Sequence, residues 1–320
     1  MHMIEIILGN AVDVLRGMPE GRVRTCVTSP PYLWQRKYLP DDDARADIEI
    51  GREADIKSYV SALVSVFEGV RRVLSADGTL WVNLGDGHAN DTKWGGSTSG
   101  KHQPKLHGDP GTLRQKRSTG LPPKCLMGLP WRFALAMIDA GWTLRCDIIW
   151  DTNAMPEGNV RDRPTISHEY VFLFSKGASY FYDVDAIREP CTMAPQRRTK
   201  PHKQRAVPGQ PTQTWGNTAS RDVPGVDGHP KGRNARSVWY IPTDKGDGQH
   251  VAPMPKALAR RCILAGSAHG DTVLDPFGGS GTVGIVAAEE GRGAILIDLD
   301  ERSVALMRSR TSQLGLVATA

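Results

Sequence analysis

Between residues 272 and 288 an apolar strand, a glycine turn and a helix of small residues follow one another without a break. The strand reads Thr272-Val273-Leu274, and the turn reads Asp275-Pro276-Phe277-Gly278-Gly279-Ser280-Gly281-Thr282. A strand that turns straight into a helix commits the chain to an α/β arrangement, because the helix must bury its apolar stripe on the sheet. Glycines let the backbone approach a ligand closely, and a helix N-terminus offers free N–H groups. The turn therefore reads as a nucleoside-cofactor loop.

The rest of the chain extends the same pattern. Short apolar, β-branched runs occur at 4–8, 25–28, 79–84, 144–150, 170–174, 272–274 and 294–297. Most lack alternation, as expected for strands covered on both faces. Helical spacing appears at 56–74, where Tyr59, Leu63, Val66, Phe67, Val70 and Val73 recur every three or four residues. Shorter helices are predicted at 131–138, 255–264, 283–288 and 303–307. The expected fold class is a doubly wound, mostly parallel α/β sheet. The runs 144–150 and 170–174 have no long helix between them, which predicts an antiparallel pair at one sheet edge.

A second strand end carries Thr28-Ser29-Pro30-Pro31-Tyr32. It offers a hydroxyl, two rigid prolines and an aromatic ring. In open α/β sheets ligands sit at the carboxyl ends of strands, so both segments are expected at one site.

With both motifs in view, the chain resembles the amino-group DNA methyltransferases that use S-adenosylmethionine. In that family a Ser/Asp/Asn-Pro-Pro-Tyr/Phe motif binds the target base, and Phe-x-Gly-x-Gly binds the cofactor. The order found here, base motif first, resembles the circularly permuted β class of site-specific enzymes. The resemblance includes Asp77-Gly78-Thr79-Leu80-Trp81-Val82-Asn83-Leu84-Gly85-Asp86, the stretch 141–150, Asp162-Arg163-Pro164-Thr165 and Ser167-His168-Glu169-Tyr170. It implies a Rossmann-like methyltransferase fold. It also implies double-stranded DNA as substrate and a cytoplasmic protein of bacterial or phage origin. A cognate restriction endonuclease and a homodimer are partners that the resemblance admits and the residues leave open.

The chemistry asks for these residue types. Exocyclic amines of cytosine and adenine are poor nucleophiles, because the nitrogen lone pair is delocalised into the ring. Ser29 Oγ and the Pro30 carbonyl can accept the amine's hydrogens and draw density back to nitrogen. Proline's fixed φ holds that carbonyl in one direction. Tyr32 can stack on a base flipped out of the duplex. Ser29, Pro30, Pro31 and Tyr32 are the candidate catalytic set, and no metal or covalent intermediate is required. Serine at position 29 leans toward N4 of cytosine, since family members with Ser-Pro-Pro usually modify cytosine; N6 of adenine is the alternative. A protein or small-molecule methyltransferase, and a catalytically silent DNA-binding protein, are the further readings. Pro190-Cys191 admits a thiolate nucleophile for carbon methylation, and His168 with Glu169 admits a base, although both fit structural roles better.

For the cofactor, the resemblance points to Phe277, Gly279 and Gly281. Asp298 ends the next strand, near the ~20-residue spacing at which an acid binds ribose hydroxyls. Asp300 competes for that role, and a strand-end carboxylate can instead cap the helix that follows. Where the family has Gly-Asp near the N-terminus, this chain has Gly9-Asn10. The candidate set is completed by Asn10, Thr28, Asp275, Pro276, Ser280 and Thr282. Residues 250–255 are expected to close the methionine side.

Composition excludes several classes. No run approaches the ~18 apolar residues of a membrane helix, and residues 1–10 lack the pattern of a signal peptide. Five cysteines without a CxxC pair argue for a reducing compartment and against structural zinc. The net charge of +5 is unevenly spread. Residues 188–236 hold ten Lys/Arg against three Asp/Glu, and residues 91–125 hold seven against two, so the remainder is net acidic. Both basic stretches are rich in Gly, Pro, Ser and Thr and read as long loops. They are either solvated insertions or phosphate-binding arms. Three segments follow: a catalytic half at 1–187 with a basic insertion at 87–125, a target-recognition segment at 188–240, and a cofactor half at 241–320. Arg197, Arg198, Lys200, Lys203, Arg205, Arg233 and Arg236 are the candidate DNA contacts.

Overall fold

A computed structural model describes residues 3–89, 119–153, 160–190, 231–243, 254–315 and 318–319. The chain divides into two compact units, residues 1–183 with 237–320, and residues 184–236. The larger unit is built on a nine-stranded sheet in the order β6-β4-β5-β3-β2-β7-β8-β1-β9. The strands are β1 (Ile4–Leu8), β2 (Val23–Thr28), β3 (Leu74–Leu84), β4 (Thr143–Asp151), β5 (His168–Ser175), β6 (Val238–Tyr240), β7 (Thr272–Asp275), β8 (Gly293–Asp298) and β9 (Ala318–Thr319). Every neighbouring pair is parallel except the two that involve β5.

Helices cover both faces. They are α1 (Ala11–Gly17), α2 (Ile56–Val73), α3 (Leu129–Asp139), α4 (Lys256–Gly266), α5 (Thr282–Glu289) and α6 (Glu301–Gln313). Strand β8 displays the two-sidedness residue by residue. Ile295 and Ile297 join the cluster formed with α1, α2 and α3. Leu296 points the other way, so close to α5 that a Cβ on Gly284 would lie 2.7 Å from it. All four residues from Ala294 to Ile297 are buried, which explains the missing alternation.

The long helix α2 shows why its sequence is helical. Asp55 caps it by accepting from the Ser58 amide at 2.8 Å, and its apolar stripe from Ile56 to Val73 is buried. At its far end Arg72 donates to the carbonyls of Arg16 and Met18, at 3.0 and 2.6 Å. Those carbonyls belong to the end of α1, which has no partners of its own beyond its last turn. On β5, the rings of Tyr170, Phe172 and Phe174 run along one face and meet Trp131, Phe133 and Trp142 edge-on.

Three expectations change. Strands β4 and β5 are antiparallel as predicted, but β6 pairs outside β4, so the pair is not the sheet edge. Helix α1 and strands β6 and β9 were not among the predicted elements. In the smaller unit, the described residues form a 3-10 turn at Asp185–Ile187 and a bridge between Glu189 and Arg233. Val238–Tyr240, from the expected segment 188–240, lie in the sheet.

Candidate active site

The carboxyl ends of β1, β2, β3, β7 and β8 share one side of the sheet, where a cavity of about 740 Å³ opens. The Ser29–Tyr32 turn lines it from β2, and residues 275–280 and 282 line it from the glycine loop. The two segments are tied directly. Thr28 is fully buried and its hydroxyl donates to Asp275 Oδ1 at 2.6 Å.

Beyond Asp275 the loop is held by its own backbone and by β8. Gly278 donates to the Ile297 carbonyl at 2.8 Å, and Gly281 donates to the Gly278 carbonyl at 2.8 Å. Gly279 and Gly281 have φ of 50° and 77°, a region costly for residues with a Cβ. A Cβ on Gly278 would stand 2.8 Å from Met307 Sδ. Gly281 then leads into α5 without a side-chain cap, so the first amides of that helix are left for other acceptors.

Asp298 and Asp300 differ in their hydrogen bonds. Asp300 caps α6, accepting from Arg302 N at 3.0 Å, and pairs with the Arg302 guanidinium at 3.1 Å. Both carboxylates line the cavity, and Asp298 accepts from Gly279 N at 2.8 Å and Asp300 N at 2.9 Å. Burial pushes the Asp298 carboxyl up to about 6 against those amide bonds. Burial also pushes Asp275 up to about 7, opposed by the Thr28 hydroxyl and the Phe277 amide and aided by the Asp298 charge. Asn10 lines the cavity too, and its Oδ1 caps α1 by accepting from Val12 N at 2.8 Å.

On the Ser29–Tyr32 side, the Tyr59 hydroxyl donates to the Pro31 carbonyl at 2.9 Å. Pro30, also on the cavity wall, makes no protein hydrogen bond through its carbonyl among the described residues. Tyr32 donates its phenolic hydrogen to Glu169 Oε2 at 2.6 Å, and Asn83 Nδ2 donates to the same oxygen at 2.9 Å. Burial, then the Glu169 charge, push the Tyr32 phenol well above its ordinary value, so it remains a donor. His168 instead packs its ring against Tyr170, 5.4 Å between centroids.

The wall formed by residues 35–50 was not foreseen. Gln35, Arg36, Tyr38, Leu39, Ile48, Glu49 and Ile50 line the cavity. The buried Glu49 accepts from the amides of Tyr38 and Leu39 at 2.7 and 3.0 Å, and Arg45 donates to the Leu299 carbonyl at 3.2 Å. Arg302 donates to the Tyr38 carbonyl. Asn83 as a site residue was also missed, although a lone amide in the buried run Leu80–Leu84 was the available signal.

Arg197, Arg198, Lys200, Lys203 and Arg205 lie outside the described residues, as do Cys191 and residues 250–253. Met254 lines the cavity. Arg233 and Arg236 both pair with Glu189 Oε2, at 3.3 and 3.0 Å.

Residues 23–309 match the family model described as "DNA methylase". The chain belongs to that family. Among its relatives, this methylase is 39% identical to the type II methyltransferase M.SmaI of Serratia marcescens, over 97% of this chain and 91% of that protein. It is 40% identical to M.XycI of Xanthomonas campestris pv. cyanopsidis, over 94% and 85%. In fold, the methylase resembles PvuII DNA methyltransferase, described as cytosine-N4-specific, with a TM-score of 0.62 at 19% identity over 97% and 86% of the two chains. A Thermus thermophilus protein solved in complex with S-adenosyl-L-methionine aligns with a TM-score of 0.56 at 22% identity over 99% and 100%.

Proposed function

We propose that this methylase transfers a methyl group from S-adenosylmethionine to N4 of a cytosine flipped out of double-stranded DNA. One observation carries the reading: the Ser-Pro-Pro-Tyr turn and the glycine loop line a single cavity, joined by the bond from Thr28 to Asp275.

The residues present fit the cofactor. A cavity of about 740 Å³ is within the usual range for a ligand of this size. The positive-φ glycines leave backbone where side chains would otherwise stand. Asp298 would hold the ribose hydroxyls, and Phe277, Gly279 and Gly281 would bound the nucleoside. Asn10, Pro276, Ser280 and Thr282 complete that wall, while Thr28 and Asp275 hold its floor. Bound S-adenosylmethionine supplies an electrophilic sulfonium methyl.

The chain's own residues do the rest. Ser29 Oγ and the Pro30 carbonyl accept the hydrogens of the amine and return electron density to nitrogen. The Pro31 carbonyl already accepts from Tyr59, and the Pro30 carbonyl, without a protein donor among the described residues, is the acceptor proposed for the amine. Tyr32 stacks on the flipped base. Alignment of amine and methyl supplies most of the rate. The amine loses its proton only after the transfer, so no strong base is needed at the outset.

Serine at position 29 favours cytosine over adenine, and the printed specificity of the PvuII enzyme accords with that. The motif order supports a circularly permuted β-class enzyme. The basic segment 188–240 is proposed to hold target recognition through phosphate and guanine contacts. A cognate endonuclease is the expected companion, given the type II names of the relatives. Methylome sequencing of DNA from a host expressing the protein tests the reading, because it returns both base and context. Methylation at cytosine N4 in one short sequence is expected. Methylation at adenine N6 would transfer the reading to the alternative.

A further inference from the structure

We infer that Glu169 is a positioning residue, which locks the Tyr32 ring and the Asn83 amide as one face of the base pocket. The inference rests on the proposed role of Tyr32 as the stacking surface for the extruded base.

Glu169 stands near the start of β5, where Leu84 of β3 pairs with its neighbour Tyr170. One of its carboxylate oxygens takes two donors, the Tyr32 phenol at 2.6 Å and Asn83 Nδ2 at 2.9 Å. Asn83 Nδ2 also donates to the Tyr170 carbonyl at 3.2 Å. Both amide hydrogens of Asn83 are therefore spent, and a flipped amide would set its oxygen against two acceptors. The orientation is fixed, and Oδ1 remains as the acceptor on a residue that lines the cavity with Ser29 and Pro30.

Gly85 completes the arrangement. A Cβ there would stand 2.8 Å from Tyr32 Cε2 and 3.4 Å from Glu169 Oε1. The ring thus has a backbone surface on one side and a charged acceptor at its tip. A tyrosine anchored at its hydroxyl loses little entropy when a base stacks on it, which is the advantage of a preorganised surface. Hydrogen bonds to a charged group are the strong kind, and in a partly buried network their loss is felt by every member.

The test uses the full-length protein, plasmid DNA, thermal melts and steady-state kinetics for DNA and S-adenosylmethionine separately. Glu169→Leu is expected to lower kcat/KM for DNA by roughly 10- to 100-fold, with S-adenosylmethionine affinity within about threefold. Glu169→Gln, which keeps an acceptor of the same shape, should restore most of the loss. In a Tyr32→Phe background Glu169→Leu should cost less than in the wild type, because only its hold on Asn83 is then left to lose. Fully multiplicative effects, or equal losses for both substrates, would overturn the assignment. Should Glu169→Leu fail to fold, Glu169→Ala takes its place in the cycle with Tyr32→Phe, judged by the same criterion. Wild-type protein that methylates no DNA would instead remove the functional reading itself, so the two failures are distinct.

Discussion

The Thr28 hydroxyl donates to the Asp275 carboxylate at 2.6 Å, joining two strand ends that lie 247 residues apart in the chain. The bond links the end of β2, from which the Ser29–Tyr32 turn departs, to the end of β7, from which the glycine loop departs. Parallel pairing of β2 with β7 brings the two strands side by side, and the buried hydrogen bond fixes how their loops begin.

Thr28→Val keeps the shape and removes the donor. A buried carboxylate then loses one of its two hydrogen bonds, at a cost of about 1–3 kcal/mol. A lower Tm and weaker S-adenosylmethionine binding are expected together, by thermal melt and calorimetry. Unchanged values for both would show that the link carries no load.

Asp275 gives stability a defined pH dependence. Its folded pKa, raised to about 7 by burial, exceeds the unfolded value of about 3.9. The folded state therefore binds more protons than the unfolded state between those values, and stability falls as pH rises through that window. Asp298, raised to about 6, acts in the same direction. Asp275→Asn should flatten the decline between pH 4 and 7 in thermal melts. A decline as steep as that of the wild type would assign the pH dependence to other groups.

Asp298 and Asp300 are separable by mutation. Asp300→Ala removes the α6 cap and should cost about 1 kcal/mol of stability, with S-adenosylmethionine affinity nearly intact. Asp298→Ala should weaken that affinity by more than about tenfold, the value of one strong hydrogen-bonded contact. Calorimetry on the two variants checks the division, and the reverse pattern would exchange the roles.

Gly279→Leu places a branched side chain at a φ of 50°, on the cavity wall. Strain of about 1 kcal/mol leaves the fold intact while the side chain occupies cofactor space. Loss of S-adenosylmethionine binding with a nearly unchanged circular dichroism spectrum is expected. Normal affinity would move the cofactor elsewhere.

The parts of the site that sequence made legible are those whose residues are adjacent in the chain. The turn after residue 274 carries its own glycines, and Ser29–Tyr32 carries its own prolines. What stayed hidden depends on distant partners. Helix α1 spans seven residues and its end is held by Arg72 from α2. Strand β6 is three residues long with only Trp239 buried, so its place follows from pairing with β4. The cavity wall at 35–50 is fixed by Glu49, Arg45 and Arg302, none of which forms a local pattern. Glu169 looks like a polar start to a strand until Tyr32 and Asn83 converge on it.

Ser29→Ala, assayed against the wild type, measures the central claim most directly. Plasmid DNA is incubated with saturating S-adenosylmethionine and either protein, then digested to nucleosides for mass spectrometry. The wild type should yield N4-methylcytosine, while Ser29→Ala should lower its rate by roughly 10²-fold with cofactor affinity within a few-fold. N6-methyladenine in place of N4-methylcytosine, or a variant as fast as the wild type, would contradict the account.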